Sequence, residues 1–208
     1  IPGKDEIFNF GLSPGVIQRL LLYRINAETG AVNTRQFRLP RLTFMHDFVA
    51  TAEGSRVFFD VGVAFHLRSA FFGRIPPAAS VRGDPEAETV IRIFDAYDRQ
   101  YVLSGPAGYV FHLPNGYQEP DICEKRGNII ADTCWMESFP DADDFKAMIN
   151  SREPAHPMLP RLTRHTIDID AEAQRSEVLS DYFLELPRIN PAYRGYEHRY
   201  RRGVAEPP

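Results

Sequence analysis

The sequence has no run of apolar residues approaching the roughly 18 that a membrane-spanning helix needs, and no charged-then-apolar leader opens it. Cysteine is scarce: of 208 residues only Cys123 and Cys134 are thiols. Neither lies in a CxxC, which argues against a thiolate zinc site. One pair makes no disulfide framework, so two reduced thiols are expected. Positive charge is not in excess either, with 24 Lys and Arg against 28 Asp and Glu and a net charge of -4. A nucleic-acid partner, which requires a basic face, is therefore not expected. No clean repeat is visible, which weighs against a regular propeller of the WD40 kind. An initiating Met is absent as well. The chain opens at Ile1-Pro2-Gly3-Lys4, so the numbering is expected to begin inside a longer protein.

What the chain has in quantity is aromatic residues, fifteen Phe and nine Tyr, and short strands between turns. Ile7 to Phe10 reads as a strand fragment. Gln18 to Ile25 and Ala31 to Leu39 read as a hairpin around Asn26 to Gly30, with Gly30 free to take positive φ. Val57 to Val61 is continuously apolar apart from Asp60 and reads as a strand buried on both faces. Thr89 to Phe94 alternates, Tyr109 to Phe111 leads into a turn at Pro114-Asn115-Gly116, Asn128 to Ala131 is a strand, and Leu162 to Ile169 alternates again. One short helix is expected, capped by Asp141, with Phe145, Met148 and Ile149 on one face. Pro76 to Ser80 and Glu153 to Pro157 read as loops. Many strands and almost no helix predict an all-β fold; on this pattern sandwich, barrel and propeller all stay open.

Three segments carry chemistry. In Phe44-Met45-His46-Asp47-Phe48 a histidine heads a strand. In Tyr109-Val110-Phe111-His112-Leu113-Pro114-Asn115-Gly116-Tyr117-Gln118-Glu119 a histidine ends one. In Leu184-Glu185-Leu186-Pro187-Arg188-Ile189-Asn190-Pro191 a lone carboxylate sits among apolar residues, where an unpaired charge is costly. Gly195-Tyr196-Glu197-His198-Arg199-Tyr200 follows.

Together these segments resemble the carotenoid cleavage oxygenases, a family that includes the retinoid isomerase and the apocarotenoid- and stilbene-cleaving dioxygenases. MHDF with Thr51 nearby resembles the stretch holding the family's second iron-ligand histidine, and FHLPNGYQE the third. ELPRINP with GYEHRY resembles the stretch holding a glutamate behind the ligands, and DEIFNFG the stretch after the first histidine. The resemblance implies a seven-bladed β-propeller with one ferrous iron on its axis, held by four histidines. His46 and His112 would be two metal ligands, Glu185 would hydrogen-bond the far nitrogen of one of them, and Fe2+ would be the cofactor. The chain would be a single partial propeller domain over 1–208, about three to four blades from the central portion, with one short helix. The first and fourth histidines would lie outside it. His46, His112 and Glu185 stand about 70 residues apart in turn, more than one blade of about 40–50 residues, so they could converge on the axis from different blades.

The implied reaction is cleavage of a conjugated carbon–carbon double bond of a carotenoid, apocarotenoid or stilbene-like alkene by O2. The alternative is a catalytically inactive propeller fragment acting as a binding or scaffold module, and the isolated chain, two ligands short, is expected to be inactive. A cytoplasmic location is expected. The apolar, Arg-interleaved stretch Val61 to Ile75, with Phe65, Phe71 and Phe72, reads either as a strand plus packed loop or as a peripheral membrane contact. Glu185 could instead pair with Arg188 or Arg199. Asp47 is expected to point away from the metal into a structural hydrogen bond. His198 and Arg199 are expected to brace a turn, and His66, His156 and His165 to be surface or loop residues.

Overall fold

The computed structural model describes residues 5–13, 17–40, 43–61, 63–65, 81–83, 88–137, 143–144, 147, 150, 152–155, 159–199 and 201–207. Several expectations fall outside the described residues: most of the stretch Val61 to Ile75 with Phe71 and Phe72, the loop Pro76 to Ser80, His66, His156, and Asp141, Phe145, Met148 and Ile149 of the short helix. Asp143, Asp144 and Ala147 within that helix are helical.

β1 (Glu6–Ser13), β2 (Arg19–Asn26) and β3 (Val32–Arg38) form a first sheet. β4 (Phe48–Ala50) and β5 (Arg56–Asp60) open a second. The small hairpin β6 (Val63–Phe65) and β7 (Val81–Gly83) interrupts it, and β8 (Glu88–Phe94) and β9 (Gln100–Ala107) complete it in the order β4-β5-β8-β9. In the third sheet β10 (Tyr109–Val110) and β11 (Asn115–Gln118) lie end to end along β12 (Ile129–Met136). β13 (Arg161–Asp168), β14 (Ala173–Arg188) and β15 (Arg202–Glu206) follow outward. All pairings are antiparallel. Thus β4 leads the second sheet and β10 and β11 lead the third.

β5 and most of β8 in the middle sheet are buried on both faces, as the Val57 to Val61 run predicts. Phe58 and Phe94 on one face pack with Leu20, Leu22, Leu39 and Met45 from the first sheet's side. Val57, Phe59, Ile91 and Ile93 on the other pack with Ile129, Ala131 and Ile167 of the third. Each such burial stabilises by about 1.5–3 kcal/mol. The charges on the first face are paired: Arg92 Nη2 donates to Asp60 Oδ2 at 2.8 Å, both side chains being buried. Arg56 Nη2 donates to Asp98 Oδ1 at 2.6 Å, and Arg24 and Arg35 of the first sheet also reach Asp98. A glycine sets the distance between the leading strands. A Cβ on Gly116 of β11 would stand 2.7 Å from Val49 Cγ2 of β4, so a side chain there would push β4 and β11 apart.

Two sequence expectations are corrected here. Asn115-Gly116 is not a turn but the start of β11; the chain reverses nothing at Pro114 and instead resumes pairing with β12. His165 is neither a surface nor a loop residue: it is fully buried on β13. Its ring lies between Thr133 Oγ1 and Ser176 Oγ, each 3.0 Å away, and packs on Phe59 and Trp135.

Candidate metal centre

Each of the three chemical residues sits where a strand ladder is interrupted. Before β4, Phe44 bridges Val61, and pairing resumes at Phe48 opposite Phe58. Three residues, Met45 to Asp47, thus oppose two on the partner. Such a bulge turns side chains off the alternating pattern: Met45 packs in the core of Phe58 and Phe94, whereas Val49, four residues on, packs in the opposite core with Val57 and Phe59. Between β10 and β11, Val110 pairs with Trp135 and Asn115 with Asp132. The four residues Phe111 to Pro114 thus stand opposite only Thr133 and Cys134, pinned by the Cys134 amide donating to the His112 carbonyl at 2.9 Å. In β14, Glu185 pairs with Val204 and Arg188 with Arg202, so Leu186 and Pro187 oppose Gly203 alone. Pro114 and Pro187 have no N–H to give a ladder, which suits them to these gaps.

The interruptions bring the sequence's candidates together. The ring centroids of His46 and His112 are 5.4 Å apart and the rings nearly perpendicular, at 86°. His112 Nδ1 lies 2.5 Å from Glu185 Oε2. Phe111 packs edge-on against His46 at 5.5 Å, and Phe44 lies parallel to it at 6.2 Å. Asp47 ties the two histidine segments to each other: its Oδ1 accepts from the Phe48 amide at 2.8 Å and its Oδ2 from the Leu113 amide at 3.3 Å. It has the structural role expected of it. Glu185 meets His112 rather than Arg188, and its Oε2 also accepts from the Leu186 amide at 2.9 Å. Glu185 Oε1 is buried without a hydrogen-bond partner among the described residues. Among those residues no group of three His, Cys, Asp or Glu side chains is arranged to hold a metal ion.

Sequence reasoning missed the polar frame behind the centre. Asp132 on β12, 1% exposed, accepts from Arg164 Nε at 2.9 Å and from Arg201 Nε at 3.0 Å. His198 Nε2 faces it at 3.5 Å. Asn115 Nδ2 lies 2.9 Å from both the Tyr196 carbonyl and His198 Nδ1, and its Oδ1 accepts from the Gly195 amide at 2.9 Å. An amide N–H at Nδ1 leaves His198 its proton on Nε2, toward Asp132. Burial, with the Arg201 charge next, pushes the His198 pKa down, which keeps this neutral form. His198 therefore braces a chain reversal, as expected. Gly195 O also accepts from the Ala52 amide at 2.9 Å, so the segment after Glu185 spans the leading strands of both sheets. The signal in the sequence was Asp132, a charge inside the apolar run Ile129 to Met136. Cys134 and Cys123 are both free; burial, with Glu185 nearby, raises the Cys134 thiol pKa. A cleft of about 660 Å³ opens beside His112, walled by Phe48, Leu113, Leu186 and Pro187 with Asp47 and Arg194 at its polar points.

No curated protein matches the chain, but solved structures do. A chimera of ACO and RPE65 in a monoclinic crystal form superposes with a TM-score of 0.83 at 23% identity, covering 99% of this chain and 41% of that one. Cobalt-substituted ACO of Synechocystis superposes with a TM-score of 0.81 at 21% identity, covering 96% of this chain and 40% of that one. A Synechocystis apocarotenoid oxygenase variant gives 0.78 at 21% identity, over 93% and 39%. The chain spans about two fifths of the length of these structures. The antiparallel sheets are thus part of a β-propeller, the all-β fold expected. The family model described as RPE65, retinal pigment epithelial membrane protein, matches residues 1–205, and the chain belongs to that family of carotenoid oxygenases and retinoid isomerases.

Proposed function

We propose that residues 1–208 are one partial propeller domain of a non-haem Fe(II) dioxygenase, and that His46 and His112 are two of its iron ligands. The substrate class is an apolar conjugated alkene, carotenoid, apocarotenoid or stilbene-like, cleaved with O2. The observation that carries this reading is the near-perpendicular approach of two imidazoles remote in sequence, one of them backed by a carboxylate. With metal–nitrogen bonds of about 2.1 Å, two imidazoles subtending about 90–110° at one ion have centroids ~4.6–5.3 Å apart; the separation of 5.4 Å is close to that range.

The residues fit a cation. With Nδ1 donating to Glu185, His112 presents an Nε2 lone pair, the tautomer that ligates. The orphaned Glu185 Oε1 is a buried anionic atom short of compensation, which a nearby positive ion would supply. Imidazole suits ferrous iron. Bound iron supplies the activation of O2 beside the double bond. The chain's own part is positional. Glu185 fixes the His112 ring and its proton at Nδ1, Asp47 holds the two ligand segments in register, and Phe44 and Phe111 orient His46. In the cleft beside His112, Phe48, Leu113 and Pro187 offer a greasy chain apolar contact next to the polar Asp47 and Arg194.

In the full-length protein, replacing His46 or His112 by Ala is expected to abolish iron loading and alkene cleavage, measured by metal analysis and product identification over a panel of carotenoid, apocarotenoid and stilbene substrates. A full complement of iron in either variant would refute the assignment. Normal iron loading without any cleaved product would favour the scaffold reading. A cytoplasmic protein drawing such substrates from bilayers needs a membrane contact, for which Val61 to Ile75 has the composition. Phe71→Ser with Phe72→Ser should then reduce flotation with liposomes, and unchanged flotation would reject that contact.

A further inference from the structure

We propose that Asn115 is a positioning residue of the metal centre, an amide that clamps together the three segments carrying His46, His112 and Glu185; the inference rests on the metal-centre reading above. β4 follows His46 and β11 follows His112, yet the two strands lie in different sheets and share no ladder. Beside the histidines Asp47 joins them through the Leu113 amide at 3.3 Å, longer than an ordinary N–H···O bond. A second, tighter tie runs through the segment that returns after Glu185. Asn115, 3% exposed at the start of β11, accepts at Oδ1 from the Gly195 amide at 2.9 Å. The Gly195 carbonyl in turn accepts from the Ala52 amide just past β4, also at 2.9 Å. One residue of the returning segment thus bridges the two leading strands. Its backbone requires glycine: φ is +85°, and a Cβ would stand 2.9 Å from Ala52 N and 3.1 Å from the Ala50 carbonyl. Asn115 Nδ2 grips the same segment on either side of Gly195, lying 3.2 Å from the Tyr193 carbonyl and 2.9 Å from the Tyr196 carbonyl and from His198 Nδ1. Only a side-chain amide offers this acceptor and these donors on so short a stem. The third segment is tied in through Asn190, whose side chain accepts from the Ala192 amide and stiffens the 3-10 turn Pro191–Tyr193, five residues after Glu185. The same three segments that meet at the histidines therefore meet again at Asn115, and the spacing of His46 and His112 depends on that second meeting.

The test uses the full-length protein with Asn115→Ala, Gly195→Ala and Leu103→Ala. The first deletes the clamp. The second leaves the Asn115 amide in place and inserts a Cβ where the segment presses on Ala52. The third controls for general loss of stability, being a core truncation on β9, three strands from β4. Two readouts apply: hydrogen exchange at residues 44–48 in the metal-free protein, by mass spectrometry, and affinity for Co2+ followed by its visible absorption. Asn115→Ala and Gly195→Ala are expected to speed exchange at 44–48, a segment neither substitution touches. Both should bind Co2+ about tenfold more weakly, as loss of a ligand's outer support does. Leu103→Ala should bind within about twofold of the parent, as a distant site does. Unchanged exchange at 44–48 in both seam variants overturns the proposal, because Asn115 would then order only its own surroundings. Unchanged Co2+ affinity in both, or an equal weakening by Leu103→Ala, overturns it too. If Asn115→Ala does not fold, Gly195→Ala decides by the same readouts. If the parent binds no Co2+, the metal-centre reading fails, and exchange at 44–48 alone decides whether Asn115 clamps the segments.

Discussion

Glu185→Gln separates charge from shape behind His112. The amide oxygen of Gln can take the place of Oε2 and accept from both His112 Nδ1 and the Leu186 amide, which in the parent lie 2.5 and 2.9 Å away. The lost quantity is the negative charge. A hydrogen bond to a charged group contributes about 1.5–3 kcal/mol and a neutral one about 0.5–1.5, so the substitution should cost ~1–1.5 kcal/mol of support for the ligand. At 1.4 kcal/mol per factor of ten, metal affinity falls roughly 5- to 12-fold. Gln also places an amide N–H2 where the buried Oε1 stands without a partner, which adds to the loss. Glu185→Ala removes the acceptor outright and leaves two donors unpaired, at about 1–3 kcal/mol each; a weakening of about 100-fold is expected, the upper end for such partners. The assay is anaerobic competition of Fe2+ or Co2+ between the protein and a chelator. Affinities of both variants within twofold of the parent, or Gln weaker than Ala, would show that His112 is oriented by something other than this carboxylate.

His165 gives the protein a pH-dependent stability unrelated to the centre. Burial lowers its pKa from 6.5 to about 4, so the native state holds it neutral while the unfolded chain takes up a proton below pH 6.5. Stability is full above about 6.5 and is lost as pH falls through the window down to about 4, by about 1.4 kcal/mol per unit. His165→Gln, which can keep partners among Thr133 and Ser176, should flatten that slope in urea titrations between pH 7 and 5; an unchanged slope would show that other groups carry it.

What the sequence made legible was whatever one strand's own pattern determines. The run Val57 to Val61 reads as buried on both faces because every position in it except Asp60 is apolar, and it separates two cores. His46, His112 and Glu185 were legible through motif resemblance alone, since the interruptions that aim them depend on partner strands. The same dependence hid β14: Ala173–Arg188 is one sixteen-residue strand, but its many polar, exposed positions show no alternation. Asn115 and Gly116 looked like a turn because the pair is common in turns; here one anchors the returning segment and the other admits β4. His165 was missed although the signal was present. The alternation that turns Thr163 and Ile167 inward turns the residue between them inward too, and a neutral imidazole with two hydroxyl partners is tolerated there.

In the proposed centre His46 and His112 share one ion. Crystals of the protein grown anaerobically with Fe(II), measured on either side of the iron absorption edge, address it directly. A single anomalous peak bonded to His112 Nε2 and to His46 is expected, with Glu185 still on His112 Nδ1. Iron bound elsewhere in the protein, with neither imidazole touching it, would contradict the claim.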